Sequence, residues 1–173
     1  YDAPAFTPNL YQEIQMAEAA FNIAEKFGFT QMDQDMFAIN SHVNALNSKK
    51  YLIDEIVNIG PESTLFDPYA RNLNLKLCER APKLFGSITY ANTAISADAA
   101  SFVVICRNII KGRKALKLIS GATVGANPKL PGLAPITAIE EVFQASGLRQ
   151  KNINQVEVME AYASQAMACL SES

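Results

Sequence analysis

The stretch that decides the fold is Ile153-Asn-Gln-Val-Glu-Val-Met-Glu-Ala-Tyr-Ala-Ser-Gln165. Apolar and polar side chains alternate in its first half, which predicts a short strand over 156–159. Its second half is rich in alanine and predicts a helix over 161–170. A strand that leads directly into a helix is typical of α/β proteins. Glu157 and Glu160 flank Met159 at this junction, although one carboxylate pair does not by itself indicate a catalytic site.

Outward from this stretch, the chain continues to alternate between helical and strand-like segments. Periodic apolar residues predict further helices over 12–26, 31–48, 75–80 and 137–146. Short apolar or alternating runs predict strands over 55–59, 99–106 and 116–124. The apolar run at 102–105 is also compatible with a buried helix, but its β-branched content and its length favour a strand. The sequence therefore predicts an α/β fold with some parallel strand pairing.

Several boundary residues fit the predicted helices. Gly28 and Gly147 stand where helix C-caps are expected. Thr30 and Asp33 predict a capping box, with Asp33 in the place of the more usual glutamate. Two prolines predict an extended lead-in over 1–12. These signals predict where helices begin and end but carry no chemistry of their own.

Composition narrows the classes of function. The chain has 173 residues, 49% of them hydrophobic and 18% charged, which excludes a disordered chain. A formal net charge of −2 argues against a dedicated nucleic-acid binder. No apolar run reaches the ~18 residues that a membrane-spanning helix needs. The chain opens at Tyr1 without a methionine or a signal-peptide pattern, so we expect a fragment or a processed chain.

Isolated reactive side chains favour structural roles. The single histidine, His42, lies within a predicted helix, where a packed or surface position is more common than a catalytic one. Cys78, Cys106 and Cys169 fit small buried residues better than nucleophiles, and their spacing with His42 matches no zinc pattern. We therefore predict no metal site.

A basic cluster interrupts the second half of the chain. It is compatible with phosphate or partner binding, but a solvated turn between two strands is the more common reading. No aromatic platform accompanies it, so the sequence gives little support for nucleic-acid binding. The cluster consists of Arg107, Lys111, Arg113, Lys114 and Lys117.

The stretch over 153–165, together with two segments before it, resembles the C-terminal domain of the thiolase family. In that family a proline-containing loop leads into a helix, and the motif Asn-Glu-Ala-Phe-Ala-x-Gln follows a strand. The two segments are Gly121-Ala-Thr-Val-Gly-Ala-Asn-Pro128 and Pro131-Gly-Leu-Ala-Pro135. Residues 16–57 look like the loop domain of the family. Ile88-Thr-Tyr-Ala-Asn92 with Asp98-Ala-Ala100 looks like the return into its N-terminal domain.

The resemblance implies an α/β, thiolase-like fragment with a helix-rich loop domain and a partial mixed sheet with flanking helices. It implies a loop-domain-like region over 1–88, the last strand of the N-terminal half over 89–110, and the first part of the C-terminal domain over 111–173. The expected chemistry is that of an acyl-CoA acyltransferase of lipid metabolism. Thiolases form or cleave a carbon–carbon bond beside a CoA thioester through a cysteine acyl intermediate, with oxyanion holes stabilising the charge.

The same resemblance implies which residues bind the substrate and which polar site residues of the family are replaced in this chain. CoA or substrate binding is expected at Met16, Ala94, Glu160, Ala161 and Tyr162. None of the three cysteines lies in a catalytic motif of the family, so no catalytic residue is assigned in this chain. Met159 occupies the family's oxyanion-hole asparagine position, and a thioether cannot donate a hydrogen bond. Ala94 replaces a serine on the pantetheine side.

Two functions remain open at this point. One is part of an active thiolase-like acyltransferase, with this chain inactive alone. The other is a degenerate thiolase-like protein that binds acyl-CoA or a partner without catalysis. Either reading implies a CoA thioester as substrate and no cofactor, an intracellular location in the cytoplasm, mitochondrion or peroxisome, and a homo-oligomer or the rest of a thiolase subunit as partner. Neither implies nucleic acid or a transmembrane segment.

Overall fold

A computed structural model describes residues 14–60, 65–108, 111–112 and 114–172. The lead-in predicted over 1–12 lies outside these residues. The helices are α1 (Met16–Phe27), α2 (Gln31–Leu52), α3 (Leu75–Glu79), α4 (Ala134–Ser146) and α5 (Ala163–Glu172). Two strands, β1 (Lys83–Phe85) and β2 (Ile88–Thr89), form an antiparallel hairpin, and single 3-10 turns cover Pro131–Leu133 and Gln150–Asn152.

The helix boundaries follow the capping signals of the sequence. Gly28 and Gly147 take left-handed conformations at φ 71° and φ 70°, where glycine has no Cβ to clash. The predicted capping box is confirmed, because the Asp33 backbone N–H donates to Thr30 Oγ1 and the Thr30 N–H donates to Asp33 Oδ2. The Thr30 hydrogen bonds lower the pKa of the Asp33 carboxyl. The helix that begins here is longer than predicted and continues to Leu52.

The strand predictions over 55–59, 99–106, 116–124 and 156–159 are wrong, because these described residues pair with no neighbouring strand in the structure. A strand needs a hydrogen-bonded neighbour, and the described residues place none beside these segments. Their apolar side chains are consequently open to solvent: Phe102 is 95% exposed and Leu116 101%. The hairpin of β1 and β2 lies outside the four predicted strands, and its pairing is antiparallel, whereas some parallel pairing was expected.

Helix α1 packs against helix α5 through small side chains. The facing residues Ala20 and Ile23 on α1 and Ala166 and Cys169 on α5 are at most 3% exposed. Small residues let two helix backbones approach closely, and Ser164 Oγ donates to the Ala20 carbonyl at 2.9 Å across this contact. The contact therefore combines apolar burial with one specific hydrogen bond.

A short extended segment in the middle of the chain pairs with the residues at the start of α5. The backbone N–H of Ala94 donates to the Ala161 carbonyl, and that of Ala163 donates to the Asn92 carbonyl, each at 3.0 Å. Thr93 and Tyr162 form an isolated antiparallel bridge between them. The stretch that decides the fold in the sequence is thus held directly against residues 92–94.

Gly132 provides a test of this packing, because it sits where two buried side chains leave no room. A Cβ at this position would stand 2.9 Å from Ile23 Cδ1 and 2.9 Å from Gln165 Cγ. We expect Gly132→Ala to lower the free energy of unfolding by about 1–3 kcal/mol through overpacking, measured by urea denaturation.

The matched control is Gly121→Ala, where a Cβ would meet nothing within 4 Å. It should change the free energy of unfolding by less than about 0.5 kcal/mol. Equal effects of the two substitutions would contradict the packing described here.

Candidate functional site

The segment that follows Met159 separates two neighbouring cavities. One, called here the apolar cavity, has a volume of about 330 Å³. It lies between α1, the 3-10 turn at Pro131–Leu133 and the start of α5. Its walls are formed by Met16, Ala19, Ala20, Ile23, Pro131, Gly132, Ala134, Pro135, Met159, Ala161, Tyr162 and Gln165.

The other, called here the polar cavity, has a volume of about 410 Å³ and lies between α2 and residues 90–97. Small and aromatic side chains line part of it, and its polar groups include Ser41, His42, Asp67, Arg71 and Glu160. Both volumes fall within the range of small-molecule sites. Met159 lines both cavities and therefore stands at their junction.

The structure brings the predicted binding residues together around these cavities. Met16, Ala161 and Tyr162 line the apolar cavity, and Ala94 and Glu160 line the polar cavity. The backbone hydrogen bond from Ala94 to Ala161 explains why the two groups meet. Burial raises the pKa of the Tyr162 phenol, so this side chain stays neutral. The placement leaves the proposed binding roles as predictions.

The polar cavity contains residues that sequence reasoning did not select. Ser41 Oγ donates to Glu160 Oε2 at 2.5 Å, across 119 positions of sequence. Asp67 and Arg71 enter the cavity from the segment before α3. No local motif marks these residues, because each reaches the cavity only through tertiary packing.

His42 is half-buried at the polar cavity. Burial lowers the pKa of its imidazole, the positive charge of Arg71 adds to this effect, and Asp67 and Glu160 oppose it. Its Nδ1 accepts a hydrogen bond from the backbone N–H of Arg71 at 3.4 Å. A neutral ring whose Nδ1 accepts carries its proton on Nε2. His42 thus packs within a helix as expected, but it also faces a cavity.

A buried polar pair supports the floor of the site. The Asn92 side-chain amide donates to Asp35 Oδ1 at 2.9 Å and to the Ser87 carbonyl at 3.2 Å. Asn92 Oδ1 in turn accepts from the Thr89 backbone N–H at 2.9 Å. Asn92 is 2% exposed and Asp35 is 4% exposed. Because each hydrogen bond to a buried carboxylate is strong, this pair fixes α2 against residues 87–92.

The cysteines do not provide a nucleophile at either cavity. Burial raises the pKa of the Cys78 thiol, and the Asp35 carboxylate acts in the same direction. Burial also raises the pKa of Cys169, opposed in part by the hydrogen bond from Gln165. Cys106 is exposed and lines neither cavity. A catalytic cysteine needs the opposite shift, toward the thiolate.

No group of three or more histidine, cysteine, aspartate or glutamate side chains is placed as a metal site among the described residues. Within them, no helix is both long enough and apolar enough to cross a bilayer. The exposed members of the basic cluster are Arg107, Lys111, Lys114 and Lys117. Its fifth member, Arg113, lies outside the described residues.

Thiol reactivity tests the burial of the cysteines. At pH 8 we expect one fast-reacting thiol per native chain with a disulfide reagent such as DTNB, and three thiols after unfolding in guanidinium chloride. The fast thiol is the exposed Cys106, whereas Cys78 and Cys169 are shielded and protonated to higher pH. Cys106→Ser should remove the fast phase alone. A fast phase that survives this substitution would contradict the assignment.

Comparison with known proteins places these features in context. Residues 113–173 match the family model of the thiolase C-terminal domain. The "Beta-ketoadipyl-CoA thiolase" of Acinetobacter baylyi is 30% identical over 177 residues, which cover 92% of this chain and 44% of that protein. The "3-ketoacyl-CoA thiolase, peroxisomal" of Encephalitozoon cuniculi is 30% identical over 172 residues, covering 91% of this chain and 43% of that protein.

The fold is also similar to that of a protein with a related activity. The solved structure of an acetyl-CoA acetyltransferase from Syntrophomonas wolfei superimposes with a TM-score of 0.73 at 25% identity, over 91% of this chain and 44% of that chain. The chain spans less than half the length of these relatives. Residues 113–173 thus match the thiolase C-terminal domain, and the chain as a whole is similar to thiolases in sequence and in fold over about nine-tenths of its length.

Proposed function

We propose that this chain is part of a thiolase-like acyl-CoA acyltransferase, which forms or thiolytically cleaves the carbon–carbon bond of a 3-ketoacyl-CoA. In this proposal the apolar cavity receives the pantetheine arm of the CoA thioester. The observation that carries it is the convergence of Met16, Met159, Ala161 and Tyr162 on that one cavity. Relatives named as thiolases and an acetyltransferase support the same substrate class.

The chemistry of the cavity suits the proposed ligand. Its walls are mainly apolar, as expected for a site that buries the aliphatic parts of a slender arm. Gln165 is 7% exposed, and its Oε1 is a buried acceptor that lacks a hydrogen-bond partner among the described residues. A buried acceptor of this kind favours a ligand that brings a donor, and pantetheine carries amide N–H groups.

The site in this chain lacks the catalytic groups that the family chemistry uses. A thiolase needs a cysteine nucleophile and oxyanion-hole donors, and none of the three cysteines lines either cavity. Met159 cannot donate where the family has asparagine, and one lost oxyanion donor costs about 10²–10³-fold in rate. We therefore propose that the chain is inactive when isolated.

A second candidate is a degenerate thiolase-like protein that binds acyl-CoA or a partner without turnover. Met159 and Ala94 favour it, because both replace polar groups of the family while the surrounding scaffold is kept. The first candidate and the acyl-CoA-binding form of the second both require CoA binding and differ in catalysis. In either case, CoA thioester is a substrate or ligand, with no separate cofactor.

The setting of the protein is proposed from its relatives. We propose a role in lipid metabolism and an intracellular location, which the 3-ketoacyl-CoA and peroxisomal names of relatives support. Self-association, or association with the rest of a thiolase subunit, is proposed from the resemblance alone. The exposed apolar run at 102–105 is consistent with further contacts that cover it.

Filling the apolar cavity tests where CoA binds. We expect the native chain to bind CoA saturably by isothermal titration calorimetry, and Ala161→Leu to weaken binding at least about tenfold by occupying the cavity. The control Ala97→Leu adds the same side chain at an exposed position of the polar cavity. It should leave the affinity for CoA within about twofold. The reverse order of effects would contradict the proposed position of the pantetheine arm.

An activity assay separates binding from catalysis. We expect no thiolysis of acetoacetyl-CoA by the purified chain above a control whose cysteines are alkylated, because the chain places no cysteine at either cavity. Turnover that alkylation abolishes would contradict inactivity of the isolated chain. Met159→Asn supplies a donor but no nucleophile, so it should not create activity.

A further inference from the structure

We infer that Ser41 of α2 is a positioning residue for this site: its hydroxyl holds Glu160 and thereby fixes Met159 between the two cavities. The inference rests on the proposed function for its effect on CoA thioester binding. Its structural part, the restraint on Met159, stands on the geometry alone. Nothing in the local sequence around Ser41 marks it for this role.

The contact is a charge-assisted hydrogen bond between distant parts of the chain. Ser41 Oγ donates to Glu160 Oε2 at 2.5 Å. Ionised acceptors make shorter and stronger hydrogen bonds than neutral ones. Ser41 lies on a regular helix that is itself fixed by the buried hydrogen bond between Asp35 and Asn92. The hydroxyl therefore approaches Glu160 from a rigid element.

The neighbourhood of Met159 explains why this restraint matters. Residues 153–160 form no regular secondary structure, and Met159 is 80% exposed, so packing does little to fix its side chain. Backbone pairing holds the chain only from Ala161 onward, where the Ala161 carbonyl accepts from Ala94. Glu160 lies between the unpaired segment and the paired one. Its contact with Ser41 thus fixes the residue that directly follows Met159.

Within the part of the chain that the structure describes, the Glu160 carboxylate has no hydrogen bond or ion pair besides the one from Ser41. Asp67 carries the same sign of charge as Glu160 and therefore cannot attract it. Arg71 lowers the pKa of His42, whereas Asp67 and Glu160 raise it. The Nδ1 of His42 accepts from the Arg71 backbone N–H, so this ring nitrogen offers no proton to Glu160. Loss of the Ser41 hydroxyl should therefore release Glu160 rather than transfer it to a neighbour.

The experiment compares Ser41→Ala, Ser41→Thr and the control Ser48→Ala on the same helix. The first readout is the methyl resonance of Met159 in chains labelled with [¹³C-methyl]methionine, assigned by Met159→Leu. We expect Ser41→Ala to shift or broaden this resonance, while Ser41→Thr, which keeps a hydroxyl, and Ser48→Ala leave it near its original position. An unchanged Met159 resonance in Ser41→Ala would overturn the inference.

The second readout is acetyl-CoA affinity by calorimetry. We expect Ser41→Ala to weaken binding about three- to tenfold, with recovery in Ser41→Thr. The double variant Ser41→Ala/Glu160→Ala should lose no more affinity than the single variant that binds acetyl-CoA less tightly, because both substitutions remove the same hydrogen bond. Additive losses would overturn the inference. If the unsubstituted chain binds no acetyl-CoA, the proposed function fails, and the methyl resonance still decides whether Ser41 fixes Met159.

Discussion

The structure depends on the antiparallel contact between residues 92–94 and 161–163. Two backbone hydrogen bonds of 3.0 Å join segments that lie about 70 positions apart in the sequence. Closing so long a loop costs conformational entropy, so the contact needs support from its surroundings. Helix α5 supplies it by burying its alanines against α1, and the buried pair of Asn92 and Asp35 supplies it from α2. The two cavities lie beside this contact, because Ala94 lines the polar cavity and Ala161 lines the apolar cavity.

Position 159 shows that the shape of the site can be maintained while a side chain expected for catalysis is replaced. Backbone pairing, small-residue packing and the Asn92–Asp35 hydrogen bond maintain the shape of the site. By the family resemblance, Met159 stands where an oxyanion-hole asparagine is expected and Ala94 where a pantetheine-side serine is expected, and neither side chain can donate a hydrogen bond. Shape and substrate binding can persist without these groups, because apolar burial needs no donor. Binding and turnover are therefore distinct questions for this protein.

Local signals predicted the helices well because each one is encoded within a few residues. Gly28, Gly147 and the Thr30–Asp33 box fixed helix boundaries that the structure reproduces. The prediction of a strand over 99–106 was wrong because a strand depends on a partner that is distant in the sequence. The β-branched run of this segment indicates strand propensity, yet a strand exists only beside a hydrogen-bonded neighbour, and the described residues contain none there. The β-propensity of a segment does not indicate whether a neighbouring strand is present to pair with it.

The candidate site was only partly predictable. Among the residues that line the apolar cavity, Met16, Ala161 and Tyr162 were expected from the family resemblance, and Met159 was singled out as the replaced asparagine. Ser41, Asp67 and Arg71 were missed, since their meeting with Glu160 is produced by the tertiary packing of α2. His42 was judged a packed helix residue, and its half-buried position agrees, although its cavity-facing environment had no sequence signal.

The most direct measurement of the central claim is a titration of [¹³C-methyl]methionine-labelled chain with pantetheine, followed by NMR. Met16 and Met159 line the apolar cavity, whereas Met36 is an exposed residue of α2 that lines neither cavity. If the cavity receives the pantetheine arm, the methyl resonances of Met16 and Met159 shift together and saturate, while that of Met36 stays in place. Saturating shifts confined to other methionines, or no shifts at millimolar pantetheine, would contradict the account.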